Sequence, residues 1–217
     1  MKFNSILKIT SISLSIMFVG CVGTYKTAKY DIGMEEVERP QNVQKRYGEL
    51  QITKQDSADV SKYVYEDSLI SATWIPGPAK FAFQLKNKSD HSMKIIWDEA
   101  AFVSPSGESQ RIMHKGVKYI NRNEPQSPTV IVRGGKVSDI VFPTNNVSYV
   151  SGQYGGWRET GIFEPYAETS VEKLKPAKDH IGEEVQVLLP LEIQGTVNEY
   201  IFSFKVHDVE LPESNSN

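Results

Sequence analysis

The sequence predicts an all-β fold, an antiparallel immunoglobulin-like β-sandwich, and three observations support that prediction. Apolar and polar residues alternate in many short segments between residues 50 and 210, which is the period of a strand with one buried face. Turn-forming residues separate these segments. Helical periodicity is confined to one weak stretch near residues 168–173. Many short strands joined by turns are typical of antiparallel sheets packed face to face.

The clearest alternation lies near the C-terminus. In the segment EYIFSFKVHDVE, residues 199–210, large apolar side chains occupy every second position as far as Val206. A similar alternation covers residues 185–193, and GTVN at 195–198 joins the two segments, so we predict a terminal hairpin. Pro190 has no amide donor, which predicts that its strand lies at a sheet edge or is bulged.

Further strands are predicted upstream. The alternation around Phe83 and the polar turn NKSDHS lead into MKIIWDEAAFV, which predicts a second hairpin. The remaining candidate strands are residues 50–54, 62–74, 110–114, 129–133 and 136–142. The weak helix at 168–173 is expected to end before Pro176.

The N-terminal residues predict export. Lys2 and Lys8 precede or border an uncharged apolar stretch of about eleven residues, 9–19. This stretch is too short to span a bilayer, which takes about 20 apolar residues. A basic start, a short apolar core and a small residue at Gly20 are typical of a cleaved secretory signal, so we predict that residues 1–20 are removed.

The only cysteine of the chain, Cys21, follows this signal directly. Phe18-Val19-Gly20-Cys21 resembles the lipobox of bacterial lipoproteins, in which signal peptidase II cuts before a cysteine that carries a diacylglyceryl thioether and an N-acyl chain. The resemblance implies lipidation of Cys21 and a partner in the membrane itself. Since two acyl chains already anchor a protein stably, such a lipid would hold the chain at the bilayer. Val22, in place of Asp, implies the outer membrane of the cell envelope.

The rest of the chain divides into three parts. Residues 21–48 are polar and mixed in charge, which predicts a lipidated N-terminus and tether, with Tyr30 or Ile32 docking on the body. Residues 49–211 are predicted to form the β-sandwich domain, which resembles β-sandwich envelope lipoproteins of uncharacterised activity. Residues 212–217 form a polar tail. With Cys21 lipidated, this domain must fold without disulfides.

Charge excludes some partners. Removing Lys2 and Lys8 leaves 22 basic against 27 acidic residues, a net charge of −5. Nucleic-acid binding and electrostatic adhesion to anionic lipid both need clustered Lys and Arg, so we expect neither.

No motif predicts catalysis, a metal site or a cofactor. Asp98 and Glu99 are adjacent, so on a strand their carboxylates would point to opposite faces. No two of the four histidines have metal-ligand spacing. We therefore expect a non-enzymatic protein. The alternative from a different class is an envelope enzyme whose dispersed site would bring together His114, His180 or Asp98.

The segment TNNVSYVSGQYGGWRETGIFEPY, residues 144–166, is the candidate binding surface. A long irregular connection in a compact domain is usually functional or disordered, and its five aromatic residues argue against simple disorder. Tyr154, Trp157 and Arg158 belong to the residue types enriched in protein interfaces, although aromatic rings also stack on sugars. Alternatively, the segment folds back and plugs one end of the sandwich. We expect another envelope protein as partner, with glycan or peptidoglycan as the alternative.

Overall fold

The computed structural model describes residues 25–39, 51–57 and 60–213. The predicted signal peptide, the lipobox with Cys21 and residues 214–217 of the predicted tail lie outside these ranges. The described chain is built from strands, with one short helix, α1 (Val171–Leu174), and three 3₁₀ turns at Tyr119–Asn121, Thr144–Asn146 and Lys175–His180.

The strands follow one another along the chain with short connections. Their bounds are β1 Lys26–Thr27, β2 Lys29–Glu38, β3 Gln51–Ser57, β4 Val60–Glu66, β5 Ile70–Ile75, β6 Phe81–Asn87, β7 Met93–Ile95, β8 Ala101–Val103, β9 Ser109–Met113, β10 Thr129–Ile131, β11 Lys136–Pro143, β12 Val147–Val150, β13 Gly156–Glu159, β14 Ala167–Glu168, β15 Glu184–Ile193 and β16 Thr196–Glu210.

Twelve of these strands form one curled sheet. Its hydrogen-bonded order is β10-β7-β15-β8-β9-β11-β6-β5-β4-β3, and β16 lies between β15 and β2. The pairs β1–β14 and β12–β13 form two small separate sheets. Every strand pair in the described residues is antiparallel. The prediction of an all-β, antiparallel fold is therefore confirmed.

The terminal hairpin is confirmed, with a tighter turn than expected. β15 and β16 pair without interruption as far as Ile193 opposite Thr196, so only two residues, Gln194 and Gly195, make the turn. Both have positive φ, 52° and 73°, which is the backbone of the type I′ turns that suit twisted hairpins. Pro190 was predicted to lie on an edge strand or at a bulge, and the first of these predictions is wrong. β15 has partners on both sides, and Pro190 falls where its second partner changes from β8 to β7.

The predicted tether contains a strand of the main sheet. β2 pairs with β16 along almost its whole length, with register shifts between Ser203 and Phe204 and between Val206 and Asp208. Ile32, one of the two residues predicted to dock, is buried in the core at 3% exposure. The sheet thus includes residues before position 49, the predicted start of the domain. The tether prediction failed here because these bulges shift the side-chain period of β2 away from strict alternation.

The predicted second hairpin is wrong, because β6 and β7 belong to different parts of the curled sheet. β6 pairs with β5 and β11, whereas β7 pairs with β10 and β15. The buried side-chain amide of Asn87 donates to the carbonyls of His91 (2.7 Å) and Ile131 (3.0 Å). These bonds hold the NKSDHS segment as a crossover between the two parts of the sheet. The strand predicted at 62–74 is likewise divided at Asp67 into β4 and β5.

The core lies inside the curled sheet, where buried side chains of β5 and β6 meet those of β16. Trp74 of β5 is fully buried, and its ring centroid lies 4.9 Å from that of Phe83, 5.0 Å from Phe202 and 5.3 Å from Phe204. Aromatic pairs of this kind contribute roughly 0.5–1.5 kcal/mol beyond the burial of their area. Trp74 therefore joins β5 and β6 to β16.

Candidate functional site

The candidate binding segment, residues 144–166, is not one irregular loop. β12 and β13 pair in register, with Tyr149 opposite Trp157 and Val150 opposite Gly156. We call residues 147–159 the aromatic hairpin. Its tip needs glycine, because a Cβ on Gly155 would collide with the carbonyl oxygens of Val150 and Gly152. The hairpin was missed in the sequence because its strands are only four residues long and its glycines dilute the alternation.

Two tyrosines of the aromatic hairpin face solvent. Tyr154 at the tip is 84% exposed and Tyr149 is 62% exposed, with Val150 beside them at 47%. A cluster of large apolar side chains this exposed is typical of a binding surface. Tyr154, one of the predicted binding residues, is thus freely accessible.

Trp157 has a different role, because it joins the hairpin to the body. It is half-buried and packs against a small apolar cluster formed by Met113, Phe142 and Val147. Tyr149 and Tyr119 contact its ring edge-to-face, with centroids 5.3 and 6.0 Å away.

Arg122 also contacts the ring of Trp157. The guanidinium of Arg122 lies 5.1 Å from the Trp157 ring centroid, within the range of a cation–π contact. Ile120, in the same 3₁₀ turn as Tyr119, is 71% exposed. Tyr119 and Arg122 were not predicted as site residues, and only their tertiary contact with Trp157 reveals them.

Arg158 stabilises the hairpin tip. Its guanidinium donates to the carbonyl of Tyr154 at 2.9 Å and to the carbonyl of Trp157 at 3.2 Å. The side chain is exposed, so its remaining donors stay available to a partner. The three predicted binding residues are therefore brought together in one hairpin, with Tyr154 held by Arg158 and Trp157 packed beneath.

The second half of the segment does fold back into the body, as the alternative interpretation expected. Phe163 is fully buried and its amide donates to the carbonyl of Pro78 at 2.9 Å. Asn146 ties the base of the hairpin to this half through a 2.6 Å bond from its side-chain amide to the Gly161 carbonyl. The segment is thus divided into an exposed hairpin and a buried anchor.

The groups of the alternative dispersed site fall into separate networks. His114 stacks on Trp97 with a centroid distance of 4.2 Å and approaches the Asp139 carboxylate at 3.3 Å. Asp98 pairs with Arg111 and accepts a 3.0 Å bond from the amide of Gln126.

His180 lies in a third network. Its two ring nitrogens lie 2.6 Å from Glu183 and 2.7 Å from the carbonyl of Glu164. Burial lowers its pKa, but the hydrogen bonds to Glu164 and Glu183 outweigh burial and raise the pKa above its ordinary value. Burial, with help from the Glu164 and Glu183 carboxylates, raises the pKa of the neighbouring Tyr30 to about 12. Through these hydrogen bonds, and one from the Tyr30 hydroxyl to the carbonyl of Pro165, residues 164–165 are held next to Glu183, just before β15.

Two cavities open at the surface near the aromatic hairpin. One of about 410 Å³ lies beside the 3₁₀ turn at Tyr119–Asn121 and includes His114 and Gln126 in its lining. The other, of about 550 Å³, lies on the face of β4, β5, β6 and β11. Neither is lined by Tyr149, Tyr154 or Trp157. The exposed tyrosines therefore stand on a projecting surface and do not line these two cavities.

Within the described ranges, no group of three or more His, Cys, Asp and Glu side chains is placed to hold a metal ion. No helix in these ranges is long and apolar enough to cross a membrane. Comparison of the chain with protein-family models, with curated proteins and with solved structures finds no match.

Proposed function

We propose that this chain is a lipid-anchored protein of the bacterial cell envelope, held at the outer membrane through Cys21, whose β domain binds another envelope protein without catalysing a reaction. The observation that carries the proposal is the aromatic hairpin, where Tyr154 is 84% and Tyr149 62% exposed. Rigid aromatic side chains supply large contact area at low entropic cost, which is why they are enriched at protein interfaces.

The shape of the surface favours a protein partner over a glycan. Glycan stacking calls for aromatic rings along a groove, whereas these two tyrosines project from a hairpin and line neither nearby cavity. The hairpin is also fixed to the body by Trp157 and by Asn146, so binding would not require it to become ordered first.

Lipid anchoring supplies the mechanism of the proposed function. The lipobox at residues 18–21 supports it on sequence grounds. A protein confined to a membrane meets other membrane-bound proteins at a raised effective concentration, so even a small aromatic patch suffices for association. The finer fold assignment, an immunoglobulin-like β-sandwich, also remains part of the proposal. It is supported by the aromatic contacts of β5 and β6 with β16 across the core.

The test of the interface is photocrosslinking in the producing cells from position 154, with a photoreactive amino acid in place of Tyr154. Position 154 is a better probe than 157, because Trp157 is half-buried and supports the hairpin. Val197, 42% exposed beside the turn of the terminal hairpin, is the matched control position. We expect one recurrent protein adduct from 154 that is absent from 197. Adducts to glycan, or the same adducts from both positions, would refute the proposed interface.

The test of the anchor is Cys21→Ser. We expect an unprocessed precursor that lacks the lipid and leaves the membrane fraction. Normal maturation of the Cys21→Ser chain would refute lipidation.

A further inference from the structure

The cavity of about 550 Å³ lies on the face of the sheet that points away from the core. Trp74 and Phe83 are buried on the core side of β5 and β6, so the residues next to each of them, Thr73 and Ile75 on β5 and Ala82 and Gln84 on β6, point to the other side. The cavity is lined by such residues from β4, β5, β6 and β11. Its volume falls in the range of about 300–1,000 Å³ that holds small-molecule ligands.

The floor of this cavity is an apolar row that crosses three strands. Ile75 of β5 pairs with Ala82 of β6, and Ala82 pairs with Ile140 of β11. All three side chains are partly exposed and form a strip about 10 Å long, because neighbouring strands lie about 4.8 Å apart. Small Ala82 at the centre leaves the depression between the two isoleucines.

A polar row runs beside the apolar one. Thr73 pairs with Gln84, and Gln84 pairs with Ser138. The side-chain amide of Gln84 donates to the Ser138 hydroxyl at 3.1 Å. The floor is therefore amphipathic, with an apolar strip and a hydrogen-bonding strip in parallel.

Three lysines border the floor, and two of them have no ion-pair partner among the described residues. Lys62 lies on β4 at one side, and Lys115 lies beyond β9 at the other. Lys80 is 3.9 Å from Glu159 of the aromatic hairpin. We call the cavity with these lysines the lysine groove.

The one acidic group in the lining, Asp139, is already occupied. It accepts from the backbone amides of Lys115 at 2.6 Å and of Ile140 at 2.8 Å, and it also contacts His114. Two ammonium groups without an ion pair among the described residues therefore lie beside an apolar strip.

We propose that the lysine groove binds a small amphipathic carboxylate, a single anionic head group on an apolar chain. The chain would lie along Ile75, Ala82 and Ile140, and the carboxylate would meet Lys62 or Lys115 at the border. Burial of the apolar chain supplies most of the affinity, and the ammonium groups select an anion. β5, β6 and β11 lie between β4, which carries Lys62, and β9, which Lys115 follows, so the two lysines lie on opposite sides of the floor. Each is thus placed for one small head group, whereas a phosphate site gathers several donors at one point.

The test is isothermal titration calorimetry of the full chain with decanoate, compared with decyl glucoside, a neutral ligand with the same chain. We expect saturable decanoate binding that is about tenfold or more tighter than binding of decyl glucoside, which corresponds to one charge-assisted contact. Equal affinity for the two ligands, or no saturable decanoate binding, would overturn the proposal.

Variants locate the binding to the groove. Lys62→Gln combined with Lys115→Gln should weaken decanoate binding about tenfold or more. Lys178→Gln removes an exposed lysine that does not line the groove, so it should leave binding unchanged. Unchanged affinity in the double variant would place decanoate elsewhere, for example on the apolar residues 9–19, and would overturn the proposal.

A second variant tests the floor. Ala82→Glu sets a carboxylate in the middle of the apolar strip, so it should abolish decanoate binding by repulsion and by blocking the depression. Circular dichroism checks that this variant remains folded, and the double lysine variant decides the question if it does not.

Discussion

The hydroxyl of Tyr200 donates a 3.1 Å hydrogen bond to the buried carboxylate of Asp67, 133 positions earlier in the chain. The same carboxylate accepts a 2.8 Å bond from Tyr65 and also bonds the backbone amides of residues 69 and 70. Burial raises the pKa of Tyr65, and the neighbouring Asp67 raises it further, so this hydroxyl stays a donor. Asp67 thus shapes the turn between β4 and β5 and joins it to β16.

Removing this carboxylate should cost far more than removing one of its partners. We expect Asp67→Ala to lower the free energy of unfolding by about 3 kcal/mol or more, because it removes the carboxylate to which two tyrosine hydroxyls and two backbone amides donate. Tyr200→Phe removes one of the two hydroxyls that donate to Asp67 and should cost about 1–2 kcal/mol. Chemical denaturation measures both. A smaller loss for Asp67→Ala than for Tyr200→Phe would contradict the network.

The tip of the aromatic hairpin depends on Gly155. Gly155→Ala places a Cβ against the carbonyl oxygens of Val150 and Gly152, so we expect the β12–β13 pairing to open more often. A steric clash that costs about 1–3 kcal/mol corresponds to roughly 5- to 150-fold faster amide exchange in residues 147–159. Hydrogen–deuterium exchange measures it. Ser151→Ala, an exposed neighbour, is the control, and equal exchange in the two variants would contradict the steric argument.

Substitutions of Trp157 and Tyr154 should differ in their effect on stability. We expect Trp157→Ala to lower the free energy of unfolding by about 1–3 kcal/mol, because it removes a half-buried ring from the cluster with Met113 and Phe142. Tyr154→Ala should change it by no more than about 0.5 kcal/mol, since the side chain is 84% exposed. Thermal and denaturant unfolding measure both variants. If Tyr154→Ala proved as destabilising as Trp157→Ala, the tip would be structural and unavailable to a partner.

The contacts of His180 should make stability depend on pH. Because its folded pKa is raised, charged His180 stabilises the fold fully below the unfolded pKa of about 6.5, and this contribution is lost as pH rises through the folded pKa. We therefore expect His180→Gln to destabilise more at about pH 5.5 than at about pH 9.

Unfolding curves of both chains at the two pH values measure this difference. Glu183→Gln serves as the matched variant, because it removes the carboxylate that His180 contacts at 2.6 Å and should weaken the dependence. A loss from His180→Gln that grows with pH would reverse the sign and refute this explanation.

Regular strands could be predicted where the side-chain period was undisturbed. β15 and β16 alternate strictly over most of their length, so their existence and pairing followed from residues 185–210 alone. β2 was missed because three successive residues, Ile32 to Met34, are buried beside the register shifts with β16. A bulge adds a residue to one strand only. Its position depends on how that strand pairs with its partner, which the sequence of the strand alone does not reveal.

The sequence by itself determined the regularly alternating strands, such as β15 and β16, and the residue types available for binding, including Tyr154, Trp157 and Arg158. These properties depend on near neighbours along the chain, which decide turns and alternation. Only the tertiary structure decided that β6 and β7 do not pair, that Tyr154 is exposed while Trp157 packs on the body, and that Lys62 and Lys115 border one groove. The physical reason is that pairing and exposure depend on contacts between segments far apart in sequence, such as Ala82 with Ile140, and local patterns do not specify those partners.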